Sequence, residues 1–171
     1  MMRSTSLPRG LLRRRHVAGY ALFEALIAVV VLSIGFVGAA RMQTVGLKLN
    51  NSAHSRQKAS LLAHQMTDRI RTNPNGTYRD AAAGAVTCLE AAAGCSVAEM
   101  VGADITQWQA DLAAQLPAGA GVVCLDSSPN DGDAADARCD NAAGSALIVK
   151  VFWTDTVATG GSVFATPVRP Q

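Results

Sequence analysis

From Tyr20 to Ala40 the chain is an apolar run whose only ionisable side chains are Glu24 and the Tyr20 phenol. That run constrains the fold more than any other feature. At a rise of about 1.5 Å per residue, a helix over it is long enough to cross a hydrocarbon core of about 30 Å. The whole chain has 171 residues, enough for one modest domain plus a long helix and too few for two domains with full cores. Hydrophobic residues make up 49% and aromatics only 5%, so the apolar character rests on Ala, Val and Leu, and much of it sits in this segment.

The net charge of +2 conceals a segregation. Ahead of Gly19 stand Arg3, Arg9, Arg13, Arg14 and Arg15 with no acid. Between residues 41 and 71 stand Arg41, Lys48, Arg56, Lys58, Arg69 and Arg71 against Asp68 alone. From Asn73 onward the balance turns acidic. A basic leader, an apolar span, a basic stem and an acidic head are four electrostatically distinct pieces, so the overall charge carries no argument for nucleic-acid binding. The arginine cluster before the span keeps that end cytoplasmic by the positive-inside rule.

After the span, apolar or small residues recur at Val45, Leu49, Ser52, Ala59, Ala63, Met66 and Ile70, with Arg56 intruding. This is a helical period, and it predicts one helix continuing to about Thr72, where Asn73-Pro74-Asn75-Gly76 ends it. The expected organisation is a leader over residues 1–19, a membrane-spanning or filament-core helix over 20–40, an amphipathic stem helix over 41–72 and a head domain over 73–171.

Cys88, Cys95, Cys124 and Cys139 all follow the span. They form no CxxC pair and no histidine lies near them, so no zinc site is expected. Two disulfides in an oxidising compartment are expected, with free thiols or a metal site as alternatives. Of three possible pairings, the sequential one, Cys88 with Cys95 and Cys124 with Cys139, is favoured. Each bridge would close a short loop, with a stabilisation of roughly 3 kcal/mol.

Within the head, Asp104-Ile105-Thr106-Gln107 reads as a helix start with Asp104 as cap. Ile105, Trp108, Leu112 and Leu116 share one face, and Pro117 closes the segment. Residues 121–125 read as a short strand. Residues 146–153 read as a longer one, with Leu147, Val149, Val151 and Trp153 on one face and Ala146, Ile148, Lys150 and Phe152 on the other. A last edge strand follows over residues 162–168, at the edge because Pro167 cannot donate to a ladder. The expected class is α+β: a long N-terminal helix packed on a small antiparallel sheet, with a short helix and disulfide-tied loops.

Asp126, Asp131, Asp133, Asp136 and Asp140 crowd one segment among Ser, Pro, Asn and Gly. It reads as a solvated loop tied by Cys124 and Cys139; calcium is the alternative, although the loop lacks the twelve-residue pattern with its closing Glu. No catalytic constellation is apparent. His16 lies in the leader, His54 and His64 lie on different faces of the stem, and no nucleophile or phosphate loop accompanies them. No enzyme and no cofactor are expected.

Arg13-Arg14-Arg15-His16-Val17-Ala18-Gly19 followed by Tyr20-Ala21-Leu22-Phe23-Glu24 resembles the type IV prepilin signature, in which a basic leader ends in Gly, an aromatic residue begins the mature chain and Glu is its fifth residue. The resemblance implies that a prepilin peptidase cuts between Gly19 and Tyr20 and methylates the new Tyr20 amine. Tyr20 stands where Phe is usual, and Ala21 where Thr is common. Glu24 has an independent physical argument, because a carboxylate within a bilayer costs about 2.5–3.5 kcal/mol on insertion scales and needs a partner or a purpose. One reading is a tolerated interfacial acid near the helix end. In the pilin-like reading, Glu24 pairs with the Tyr20 amine of a neighbouring subunit and sets the axial register. Gly35 and Ala39, four apart, permit close helix approach or are ordinary membrane-helix composition.

The head, with Cys88 and Cys95, then Thr106-Gln107-Trp108-Gln109, then Gly121-Val122-Val123-Cys124 and the Val149 to Trp153 strand, resembles the PilV-type pilus modification proteins. That likeness implies a minor pilin, held in the inner membrane with its head in the periplasm and then in the pilus fibre at the cell surface. Its implied partners are the prepilin peptidase, the major pilin and other minor pilins, the inner-membrane assembly platform and a tip adhesin. A type II secretion pseudopilin shares the same leader and helix. A third reading is a secreted or single-pass anchored binding domain cut by signal peptidase near Ala39 or Ala40. Against it, the apolar run exceeds the usual signal-peptide core of about 7–15 residues.

Overall fold

The apolar run and the periodic stretch after it form a single helix, α1, over Ala18–Thr72. The computed structural model describes residues 18–157 and 161–168, so most of the expected leader lies outside the described residues. Two units divide the chain, Met1–Thr44 and Val45–Gln171.

In the first unit, every described side chain from Tyr20 onward is exposed, large apolar ones included: Leu22, Phe23, Ile34 and Phe36 are each about two-thirds exposed or more. Ser33 returns its hydroxyl to the Val30 carbonyl at 2.7 Å, and Thr44 returns its own to Ala40 at 3.0 Å. Hydroxyls satisfied by their own helix suit a segment in hydrocarbon, where no water serves them. This helix is long and apolar enough to cross a membrane, and its apolar window has no buried residue. It fits a single-pass anchor.

The second unit contains the rest of α1, a 3₁₀ turn at Thr87–Leu89, helix α2 over Val97–Gln115, and strands β1 (Ala120–Asp126), β2 (Ala146–Thr154) and β3 (Gly161–Pro167). The strands form one antiparallel sheet in the order β1-β2-β3. β2 is central, with Val149 opposite Val123 on one side and Thr166 on the other. The class is α+β, and α1 ends at Thr72 just before the Asn-Pro-Asn-Gly breaker.

The core lies between α1, α2 and the inner face of the sheet. Ala59, Leu62, Ala63, Met66 and Ile70 of α1 join Val101, Ile105, Trp108 and Leu112 of α2 and Val123, Val149, Val151 and Trp153 of the strands. The Trp108 ring is tied to α1, its Nε1 donating to the Leu62 carbonyl at 2.9 Å. Gly121 leaves room for it from the sheet side, since a Cβ there would collide with the Trp108 ring and Leu112. Trp108 is a core anchor.

The start of α2 departs from the expectation. Ser96, not Asp104, is the N-cap: its hydroxyl accepts from the Glu99 amide while the Glu99 carboxylate accepts from the Ser96 amide. Asp104 lies well inside the helix, where its carboxylate accepts from the Tyr78 hydroxyl at 2.5 Å and from Arg69 Nη1 at 3.0 Å. The capping box Ser96-Val97-Ala98-Glu99 satisfies two helix-end amides at once and so places the start there, eight residues earlier. At the other end Leu116 is the C-cap and stays buried. Trp108→Ala should cost about 3–5 kcal/mol, the range for deleting a large buried aromatic. Chemical unfolding of the detergent-solubilised chain followed at the remaining Trp153 checks this.

Candidate functional site

The sites expected from the sequence fall in three places. Tyr20 and Glu24 lie in the exposed first turns of α1, sharing a helix face with Ile27 and Val31 at three- and four-residue spacing. Gly19 is helical, within the first turn. Among the described residues, no side chain covers that face.

The cysteines pair sequentially. Cys88 joins Cys95 across a separation of 7 residues, and Cys124 joins Cys139 across 15. The first bridge closes the loop ahead of α2. This loop is held by a close backbone approach: the Gly84 amide donates to the Gly102 carbonyl at 2.9 Å, and a Cβ on either glycine would strike the other's backbone. Thr106 bridges the same point, its hydroxyl donating to the Gly84 carbonyl at 2.7 Å.

The second bridge ties the aspartate-rich segment across the outer face of the sheet; most of the loop is exposed, as expected, but Asp126 at its start is buried. Lys150 projects from the middle of β2 on that outer face and is fully buried. Its ammonium forms an ion pair with the equally buried Asp126 and donates to Asp131 Oδ1 at 3.0 Å and to the Ala137 carbonyl at 2.9 Å. Ser128 stands between the two acids, its hydroxyl 3.4 Å from Asp126 Oδ1 and 3.1 Å from Asp131 Oδ2. Charge with full hydrogen bonding permits a lysine to be buried, and without it the desolvation cost would be prohibitive.

The other aspartates serve the loop's own backbone. Asp133 accepts from the Ala135 and Asp136 amides, and Asp140 from Ala142 as well as from the Ser127 and Ser145 hydroxyls. No group of three or more His, Cys, Asp or Glu gathers in metal-binding geometry among the described residues. The oxygens that the calcium reading would enlist from Asp126 and Asp131 are turned onto the Lys150 ammonium. Lys150 itself was legible only as one residue on the far side of a strand; nothing local in the sequence marks it as buried.

Two further polar groups tie α1 to the head. Arg69 bridges Asp104 and Gln107, and Ser52 donates to Asp155 Oδ2 at 2.6 Å. Burial, and then the hydrogen bond to Asp104, push the Tyr78 phenol up to about 12, so it remains a proton donor throughout the physiological range. His64 packs edge-on against Phe164 with ring centroids 6.3 Å apart.

Burial tends to raise the Asp126 carboxyl, but the hydrogen bond from Lys150 and the Ser128 amide outweigh it and hold the group below its ordinary value. The Lys150 hydrogen bond likewise holds Asp131 down. For Lys150, burial works downward, and the two carboxylates reverse it and hold the ammonium above its ordinary value. Comparison of the chain with protein-family models, with curated proteins and with solved structures finds no match.

The signs of these shifts set the pH behaviour. The carboxylates' contribution is complete above the unfolded-chain value of about 3.9 and is lost as the pH falls through their lower folded values. The Lys150 contribution is complete below about 10.4 and is lost as the pH rises through its higher folded value. Lys150→Ala, which leaves Asp126 buried without a partner, should cost about 3–5 kcal/mol and move the acid unfolding limb to higher pH. Unfolding free energies of the wild-type and variant chains across an acid pH series measure both effects.

Proposed function

We propose that the chain is a minor pilin of a type IV pilus, a structural subunit with no catalytic role. Its fold is read as pilin-like. The observation that carries the reading is the division of labour along α1. Its first turns expose an apolar surface that none of the described residues covers, with Glu24 as the charged side chain on it, while its last turns form the centre of a disulfide-tied head. A surface of that extent is sustained only by lipid or by other protein.

In this reading the subunit first sits in the inner membrane with its basic leader in the cytoplasm and its two disulfides in the oxidising periplasm. Prepilin peptidase removes residues 1–19 and methylates the Tyr20 amine. The span is then withdrawn from lipid into a bundle of like helices, on the assembly platform and with the major and other minor pilins, and a tip adhesin is a further companion. Glu24 supplies the charged side chain of the span. It pairs with the Tyr20 amine of a neighbouring subunit, so an incoming subunit satisfies its carboxylate at only one axial position. In an apolar medium an unpaired carboxylate is costly, and this makes the register selective.

Intact mass and N-terminal sequencing of the protein from native membranes and from sheared filaments test the reading. A chain starting at methylated Tyr20 in the filament fraction, with a Gly19 substitution leaving the chain uncut and absent from filaments, is the expected result. A start near Arg41 would instead mark signal-peptidase processing and an exported domain. Glu24→Ala should lower the filament-associated fraction while leaving the head's unfolding midpoint and its disulfides unchanged, as read by immunoblotting of sheared filaments beside a melt of the purified chain.

A further inference from the structure

On the outer face of the sheet a primary amine and a carboxyl group are sealed together. The side chains of Lys150 and Asp126 are both 0% exposed and form an ion pair. Asp126 Oδ1 accepts from the Ser128 amide at 3.0 Å, while Oδ2 meets only the ammonium among the described residues. Apolar residues flank the pair. Val122 and Ala165 lie opposite Lys150 on the two neighbouring strands, and Ile148 and Phe152, two residues away along β2, are buried on the same face. Asp131 Oδ1 at 3.0 Å and the Ala137 carbonyl at 2.9 Å hold the lysine nitrogen in place.

A second carboxylate therefore stands at the same nitrogen. Asp131 accepts from Nζ through Oδ1, and its Oδ2 accepts from the Ser128 hydroxyl at 3.1 Å. That hydroxyl lies 3.4 Å from Asp126 Oδ1. A path for protons thus runs from the amine through Asp131 and Ser128 to an oxygen of the Asp126 carboxyl. Asp131 is partly exposed, which leaves an exit for water.

We propose that Lys150 and Asp126 condense into an amide, an isopeptide bond joining the end of β1 to the middle of β2. The bond from Nζ to Asp126 Cγ forms and the bond from Cγ to Oδ1 breaks; the two protons that the ammonium gives up depart with Oδ1 as water. Asp131 takes a proton from the ammonium and passes it on through Ser128, ending as it began, and nothing is oxidised or reduced. The ion pair seen in the structure is the reactant state. Its charges must be surrendered before the nitrogen attacks, so the step is slow, but it has to occur only once in each chain. Well-oriented groups held in contact react with effective concentrations of about 10⁵–10⁸ M. The product also replaces two buried charges with one neutral group. The bond would close residues 126–150 into a loop overlapping the one closed by Cys124–Cys139 and, unlike that bridge, would survive reductants. It forms within one head and requires neither cleavage at Gly19 nor a filament, so it and the minor-pilin reading stand or fall separately.

The test is peptide mapping by mass spectrometry of the full-length chain, purified from membranes, reduced, alkylated and digested with trypsin. The peptide ending at Arg138 is expected to be joined to the one that begins at Cys139 and runs uncut past Lys150, the pair weighing one water less than their sum, with fragment ions that place the link between Asp126 and Lys150. Lys150→Arg keeps a cation for the two carboxylates but cannot condense in this way, and should fold with the two peptides separate. Asp131→Ala should fold and show far less of the linked species. A succinimide at Asp131-Gly132 would also remove one water, but would leave the peptides separate and persist in Lys150→Arg. Recovery of the wild-type peptides unlinked, or a water loss that Lys150→Arg retains, would overturn the proposal; full linkage in Asp131→Ala would overturn the proton path.

Discussion

Burial of one face of α1, from Ala59 to Ile70, beneath Trp108 and the inner face of the sheet is the interaction on which the rest of the head depends. The chain has few aromatics, and both tryptophans, Trp108 and Trp153, are buried in this core together with Tyr78. Trp108 needs a glycine on β1 to admit it, and it is oriented by its bond to the Leu62 carbonyl. Tyr78, Asp104 and Arg69 then fasten the last turns of α1 to α2, so the helix carrying the apolar span also forms the spine of the domain that follows it.

The outer face of the sheet poses a different physical problem. Ile148, Lys150 and Phe152 alternate with the core-facing residues of β2 and are themselves buried, so the sheet needs a second cover. The segment after β1 supplies it, drawn across by Cys124–Cys139 and fixed by the Lys150 ammonium. Buried ion pairs add little stability over apolar groups of the same size, but they tolerate only one arrangement of partners. That property suits a loop poor in apolar residues, whose conformation must otherwise come from its own turns.

Residues 20–44 differ from both. Their helix satisfies its own backbone and leaves the side chains without cover, the condition of a segment designed for hydrocarbon or for other helices. In the second unit, the first part of the stem leaves Val45 and Leu49 open as well.

The span, the extent of α1, the three strands and the apolar face of α2 were all readable from the sequence, because each depends on local periodicity and on breakers such as Asn73-Pro74-Asn75-Gly76. The true start of α2 was also present in the sequence as Ser96-Val97-Ala98-Glu99, and was obscured by a second cap-like residue at Asp104. That Asp104 receives Tyr78 and Arg69, that Lys150 is a buried cation rather than a strand's solvent-facing residue, and that the aspartate loop folds over the sheet were decided only by the tertiary structure. Pattern along a chain reports which face an element turns inward; it does not report which distant groups meet there. The worth of a charged side chain depends on those partners and on the water they exclude, and both come into being only when the chain has folded.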